Sequence, residues 1–397
     1  MANICQLINA NLTRQLGSGI VKLMNQKGLA PIFLIVAVLV VSVVAFLGLS
    51  KFNGQRFGPP QNNPGWGQKP GGAQDFGGPP STIQKQRWNG PIPNPPKNKI
   101  TYYKGLWGAG WFYPEEFTGL KFDPQKYEKW GVNIVMLQPG FEINSNGDVR
   151  YPPDFPTYVD MDARIGELAT KFYQANVHIG LTLILTYKKE FSNGGQGDMW
   201  AGEPQPFPKE IVEKPGYFDK FNKVVEDMAK IAEKYHVYMF APMGEADGIF
   251  GMKVAPFLTQ QMVPLVRKYY TGKLYYKGDL HNGEGDKMNF KGYDVLGFVI
   301  GPSDRITNTE DLRKFFDSSM DRAVAWAKRD NIPEVVVSEH GYIGNNQMAS
   351  AENIGLALEE GNKKLNGVFL TEPIPDVFKT AQGDEIVEQM KKWFLAN

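Results

Sequence analysis

Cysteine is almost missing from this chain of 397 residues, Cys5 being the only one, so a disulfide framework, a cysteine zinc site and a cysteine nucleophile in the folded part are all excluded. Histidine is nearly as scarce. His178, His236, His281 and His340 are the only four, and none forms an HExxH or comparable zinc pattern, so no metal is expected. Charge of one sign is also lacking: 43 basic and 42 acidic residues give a formal net charge of +1. That leaves no electrostatic reason to expect nucleic acid or a polyanionic substrate and suits a neutral one. The glycine clusters GAGW and GGQGD lack the complete phosphate-binding spacing with lysine, so neither a nucleotide nor any other cofactor is expected. Nothing in the sequence bears on oligomeric state.

What is abundant is apolar, aromatic and unevenly distributed. Residues 30–49, APIFLIVAVLVVSVVAFLGL, are twenty positions without a charge. As a helix rising about 1.5 Å per residue they would span the roughly 30 Å hydrocarbon core of a bilayer. A cleaved signal peptide is the competing reading, since Gly48 and Ser50 are small enough to precede a cleavage site. Secretory apolar regions, however, usually run about 7–15 residues. Arg14, Lys22 and Lys27 before the segment nearly balance Lys51, Arg56 and Lys69 after it. Orientation is therefore argued from the cargo, with residues 1–29 cytoplasmic and the rest outside. Residues 50–98 are dominated by Gly, Pro, Gln and Asn, too poor in apolar side chains to build a core, and read as a disordered tether with a reach near 40 Å. Trp66 and Trp88 in this stretch receive no role.

From residue 99 to 397 short apolar runs alternate with helical periodicity, the pattern of parallel βα units. Eight strands are expected: Ile100–Leu106, Val132–Leu137, Val177–Leu185, Val237–Pro242, Lys273–Lys277, Val295–Ile300, Glu334–Ser338 and Val368–Leu370. Between Phe218 and Tyr235 apolar side chains recur every three or four residues, so one helical face should pack on the sheet. Junctions such as WGVNIV, ANVHIG and LNGVFL carry Gly or Asn where a left-handed cap would end a helix. A doubly wound sheet would show the same alternation. The chemistry favours a (β/α)8 TIM barrel.

Two carboxylates stand where strands give way to loops: Glu245 in MFAPMGEADG after the fourth strand and Glu339 in VVVSEHGY after the seventh. Side chains at the C-terminal strand ends of such a barrel converge on one mouth. Glycosidic bond cleavage requires two carboxyl groups across the bond, a proton donor and, in the retaining mechanism, a nucleophile. A lone glutamate in a loop is ordinarily just solvated; it is the pairing at opposed strand ends that points to chemistry.

On these residues the chain resembles glycoside hydrolase clan A, whose barrels carry the acid/base glutamate after strand four and the nucleophile after strand seven. The runs GKLYYKGDL, YDVLGFVIGP and PEVVVSEHGYIG are similar to family 113, whose known members cleave β-mannans. The resemblance implies Glu245 as acid/base, Glu339 as nucleophile and a β-linked, largely neutral oligo- or polysaccharide as substrate. Three departures stand out. Gly244 takes the place of the clan's usual Asn before the acid/base, Ile300-Gly301 ends the sixth strand where tyrosine is common, and Leu370, Thr371 and Glu372 replace the late aromatic of the eighth.

Aromatic and polar residues near the same strand ends are candidates for sugar contacts. They are Trp107 and Trp111 with Phe112 and Tyr113 after strand one, Phe141 after strand two, Tyr187 closing strand three, Trp200 in a Gly-rich insertion, Asp279 and His281 after strand five, Tyr342 beyond Glu339, and Glu372. Trp130, Trp326 and Trp393 fall in helices and should pack there. His340 need not point inward, because neighbours on a strand face opposite ways. Two functions remain open, a retaining hydrolase at the cell surface and a barrel that grips glycans without cutting them. Gly244 favours the second and the retention of both glutamates the first.

Overall fold

The computed structural model describes residues 88–108, 123–152, 154–191, 207–300, 308–340, 351–371 and 381–396, without the side chains of 281–283, 351–353 and 381–386. The expected membrane segment at 30–49 and the cytoplasmic segment 1–29 lie outside them. Among the described residues no helix is long and apolar enough to cross a membrane.

Eight strands close into a barrel. They are β1 (Tyr103–Gly108), β2 (Ile134–Leu137), β5 (His178–Thr182), β7 (Met239–Ala241), β8 (Lys273–Gly278), β9 (Val295–Val299), β10 (Glu334–His340) and β11 (Gly367–Thr371). They neighbour one another in the order β1-β2-β5-β7-β8-β9-β10-β11, with β11 returning to β1, and every pairing is parallel. Each expected strand overlaps one of these. Parallel strands covered on both faces read as unbroken apolar runs, and β2, β5 and β7 are buried at every position.

The core has two layers. Inside the barrel, Tyr103, Ile134, Met136, Met239, Tyr275, Val295, Val336 and Phe369 pack together. Gly105, Gly180 and Gly297 make room for the largest of them, since a Cβ at those positions would strike Phe369, Met136 and Tyr275 respectively. Outside, the outward faces of the strands meet the helices. In the helix Asp219–Lys234, Phe221, Val225, Met228 and Ala232 are buried on one stripe, as the periodicity requires.

Local signals set the junctions. Thr157 and Asn308 cap the helices Tyr158–Gln174 and Thr309–Asp330 by accepting from the N–H groups of Asp160 and Asp311. Gly131 and Asn176 take left-handed conformations at the expected junctions. Leu365–Leu370 does not. There the Asn366 side chain instead accepts from the N–H of Val335, pinning the turn to the neighbouring strand.

Two findings differ from the expectations. Val177–Leu185 is not one strand: after Thr182 the chain breaks at Leu183, whose N–H bonds to Ala241 O, and continues as β6 (Ile184–Tyr187). With β3 (Gly140–Ile143) and β4 (Val149–Arg150), β6 forms a separate three-stranded sheet. Residues 88–98 form neither helix nor strand, yet they touch the barrel. Trp88 lies against Gly166 and the Tyr235 hydroxyl, and Asn98 O faces His178 Nε2 at 2.9 Å. Pro95 and Pro96 help line a cavity of about 640 Å³ at the N-terminal ends of the strands. Of its charged groups, Lys273 pairs with Glu334 and Arg267 with Asp294, while Glu233 accepts from Thr271.

Candidate active site

Glu245 follows β7 and opens the short helix Ala246–Phe250. Its backbone is left-handed, φ 55° and ψ 36°, a conformation that costs an L-residue roughly 1–2 kcal/mol. Hydrogen bonds hold it there: Gly244 N–H to Leu183 O at 2.8 Å, Glu245 N–H to Lys277 O at 2.7 Å, and Ile249 N–H to Glu245 O at 2.9 Å. Strain sustained by its surroundings is characteristic of functional positions. Space at Gly244 is tight: a Cβ there would lie 3.0 Å from both Ile184 Cδ1 and Thr182 Cγ2, so any side chain at 244 would need those two to shift.

Glu339 is aimed by an irregularity in its strand. The pairing of β10 shifts register between Val337 and Glu339 on one side and between Val337 and His340 on the other, a bulge-like step of the kind that re-aims a side chain. His340, next along, faces outward. Its Nδ1 lies 2.9 Å from Ile300 O and its ring meets Phe316 edge-on.

Lys277 joins the two carboxylates. Along β8 the residues Lys273, Tyr275 and Lys277 share one face, and Tyr275 belongs to the interior cluster, so Lys277 rises inside the barrel to the level of the mouth. Its Nζ donates to Glu245 Oε1 and, at 2.9 Å, to Glu339 Oε2, and it sits 4.4 Å from the centre of the Trp107 ring. Side-chain exposure is 0% for Lys277, 34% for Glu245 and 15% for Glu339. The ammonium therefore approaches from the barrel floor, and the carboxylates lie toward solvent. Burial works against the lysine's charge, but the two carboxylates outweigh it and hold the ammonium above its ordinary pKa. Burial pushes the Glu339 carboxyl above its ordinary range, opposed by Lys277 and reinforced by the like charges of Glu245 and Asp279.

A buried carboxylate braces these loops. Asp247 accepts from Leu280 N–H at 2.5 Å, from the Tyr276 hydroxyl at 2.8 Å and from Asp279 N–H at 3.2 Å. It ties the turn after β7 to the turn after β8, and its burial raises its pKa. Three polar atoms at neighbouring strand ends, Trp107 Nε1, Gln138 Nε2 and Thr182 Oγ1, are buried without a hydrogen-bond partner among the described residues.

The candidates from sequence thus divide. Glu245, Glu339 and Trp107 meet around Lys277, with Asp279 half-buried beside them. Phe141 and Tyr187 lie in the separate sheet and are buried, Phe141 edge-on to Tyr151 at 5.3 Å and Tyr187 against Phe207 at 5.4 Å. His281 begins a 3-10 turn, His281–Asp286, and its side chain is outside the description. Trp111, Phe112, Tyr113, Trp200, Gly301, Tyr342 and Glu372 lie outside the described residues. Sequence reasoning missed Lys277, Asp247 and Gln138. The available signal for Lys277 was a cation in phase with the inward Tyr275 at the C-terminal end of KLYYKG.

The described residues therefore form a (β/α)8 barrel with carboxylates at the ends of its fourth and seventh strands. No family model matches the chain, and no curated protein sequence does. Among solved structures it is similar to a GH113 β-1,4-mannanase, at 16% identity over 75% of this chain and 100% of that one, with a TM-score of 0.53. The GH113 β-mannanase of Alicyclobacillus acidocaldarius shows 12% identity over 75% and 98%, with a TM-score of 0.54. The endo-1,4-β-mannanase of Rhizomucor miehei shows 10% over 76% and 96%, with a TM-score of 0.53. At these identities the likeness establishes the fold.

Proposed function

We propose that the chain is a retaining glycoside hydrolase acting on a β-linked, largely neutral oligo- or polysaccharide, with Glu245 as acid/base and Glu339 as nucleophile. The observation that carries this reading is the shared hydrogen bonding of both carboxylates to Lys277 Nζ at the C-terminal end of the barrel. One nitrogen can serve two acceptors only if their nearest oxygens lie within roughly 6 Å of each other. Carboxyl groups held that close can meet the separation of about 5–5.5 Å used by retaining enzymes. Glu245, the more exposed, would protonate the leaving oxygen while Glu339 attacks the anomeric carbon. Water deprotonated by Glu245 would then break the glycosyl ester. The mannanases of like fold make β-mannan the first substrate to try. Incubating the soluble barrel with a panel of β-mannans and β-glucans, followed by product analysis, tests the reading; an untouched panel would count against it.

A second reading, a barrel that binds glycans without cutting them, draws on the ion pairs that occupy both carboxylates in the unliganded molecule. It expects full glycan affinity in the Glu245→Ala/Glu339→Ala double variant and no cleavage by the wild type. We further propose that residues 30–49 anchor the chain in a membrane with the barrel outside the cell, on the strength of their uncharged length. Release of the full chain by salt alone, or a mature form beginning near Ser50, would contradict that.

A further inference from the structure

Lys277 is an unusual resident for such a site. It is fully buried, it stands on a strand whose inward neighbour is apolar packing, and its charge is taken up by the two carboxylates to which the chemistry has been assigned. A buried cation of this kind is costly unless paired, so its partners constrain it as much as it constrains them. We propose that Lys277 is a positioning residue: from the barrel floor it fixes the Glu245 and Glu339 carboxylates relative to each other and supplies the counter-charge that keeps Glu339 available as an anion. The role rests on the hydrolase reading above.

Three features support it. The lysine is fully buried while both carboxylates keep some exposure, so it reaches them from the side away from solvent. Trp107 covers the ammonium at 4.4 Å, so the lysine is held between an aromatic face and two anions. The strand that carries it also receives the Glu245 N–H at its own carbonyl, 2.7 Å away, so Lys277 fixes Glu245 through both backbone and side chain. Among the described residues, the titratable groups acting on Glu339 are Lys277, Glu245 and Asp279, with the Tyr275 hydroxyl buried nearby and kept neutral by that burial. Glu245 and Asp279 carry the same sign as Glu339. Removing Lys277 would leave a buried carboxylate facing only like charges, and its proton affinity must then rise.

The test is Lys277→Met, close in length and uncharged, with Lys277→Arg to keep the charge and Lys277→Gln as a second neutral variant should the methionine form not fold. The protonation midpoint of Glu339 is read by pH-difference infrared spectroscopy, with Glu339→Gln as the blank that assigns the band. Where cleavage is found, the pH profile of kcat/KM is recorded alongside. An opposite charge in contact moves a carboxyl by about 1–3 pH units. The neutral variants should therefore raise the midpoint, and the acidic limb of the profile, by at least about one unit, a tenfold gain in proton affinity. Arginine should restore most of the shift. A uniform loss of rate with an unmoved midpoint would reduce Lys277 to packing, and a faster Lys277→Met enzyme would make it an obstacle; either overturns the proposal. A moved midpoint in a protein that cleaves nothing would instead sink the hydrolase reading while leaving the charge coupling intact.

Discussion

Replacing Glu245 by glycine and, separately, by alanine removes the same carboxylate twice and isolates its backbone. At ordinary positions alanine is the more stable choice, because glycine has about 0.5–1 kcal/mol more conformational entropy to lose on folding. Residue 245 has φ 55° and ψ 36°, where a Cβ costs roughly 1–2 kcal/mol and glycine pays nothing. Subtracting one range from the other leaves glycine ahead by about 0–1.5 kcal/mol, about 0.75 kcal/mol at the midpoints, the reverse of the usual order. Both variants lose the ion pair to Lys277 and leave Lys277 with Glu339, so those terms cancel in the comparison. Urea denaturation of the two proteins, with matched slopes, reads the difference directly. An alanine variant more stable than the glycine variant would show that residue 245 is not held left-handed, and the geometry proposed for the acid/base would go with it.

Other perturbations test the supports of the site. Asp247→Ala strips the acceptor from Leu280 N–H, Asp279 N–H and the Tyr276 hydroxyl and should cost about 2–6 kcal/mol in chemical denaturation, at about 1–3 kcal/mol for each of the two buried donors, Leu280 N–H and the Tyr276 hydroxyl, left unmet; a loss under about 1 kcal/mol would mean that this brace is not formed. A chain beginning at Trp88 should be more stable than one beginning at Lys99 by about 1–3 kcal/mol, since the shorter form loses the tryptophan seated on Gly166 and Tyr235. Trp88→Ala in the longer form should reproduce most of that difference, and equal stability of the two chains would detach residues 88–98 from the barrel.

The barrel was legible because its signal is redundant. Val335, Val336 and Val337 leading to Ser338-Glu339 announce a strand by β-branching alone, and helix periodicity such as that of Phe221, Val225 and Met228 separates one strand from the next. The small sheet was hidden because its members are short and irregular. GFEI carries Glu142, a buried charge paired with Arg150 on the adjacent strand and with Lys188 just past β6, pairings that no local pattern announces. Phe141 and Tyr187 were read as following barrel strands because that sheet was not foreseen, and both lie buried in it. Lys277 was missed because lysine ordinarily marks a solvated surface. Only the fold reveals that two distant glutamates converge on it. Gly244 looked like a lost contact in sequence, and only the fold shows how tight Thr182 and Ile184 make the space there.

The central claim is that Glu339 attacks and Glu245 donates the proton, and azide rescue tests it most directly. Each glutamate is changed to alanine, each variant is given an activated β-glycoside with sodium azide, and the anomeric configuration of the product is read by NMR. Glu339→Ala should be inactive alone and yield the α-glycosyl azide, because azide enters the space left by the nucleophile and inverts the centre. Glu245→Ala should still form the glycosyl ester on Glu339 and release the β-glycosyl azide. The same azide anomer from both variants, or rescue of neither while the wild type cleaves the glycoside, would contradict the assignment.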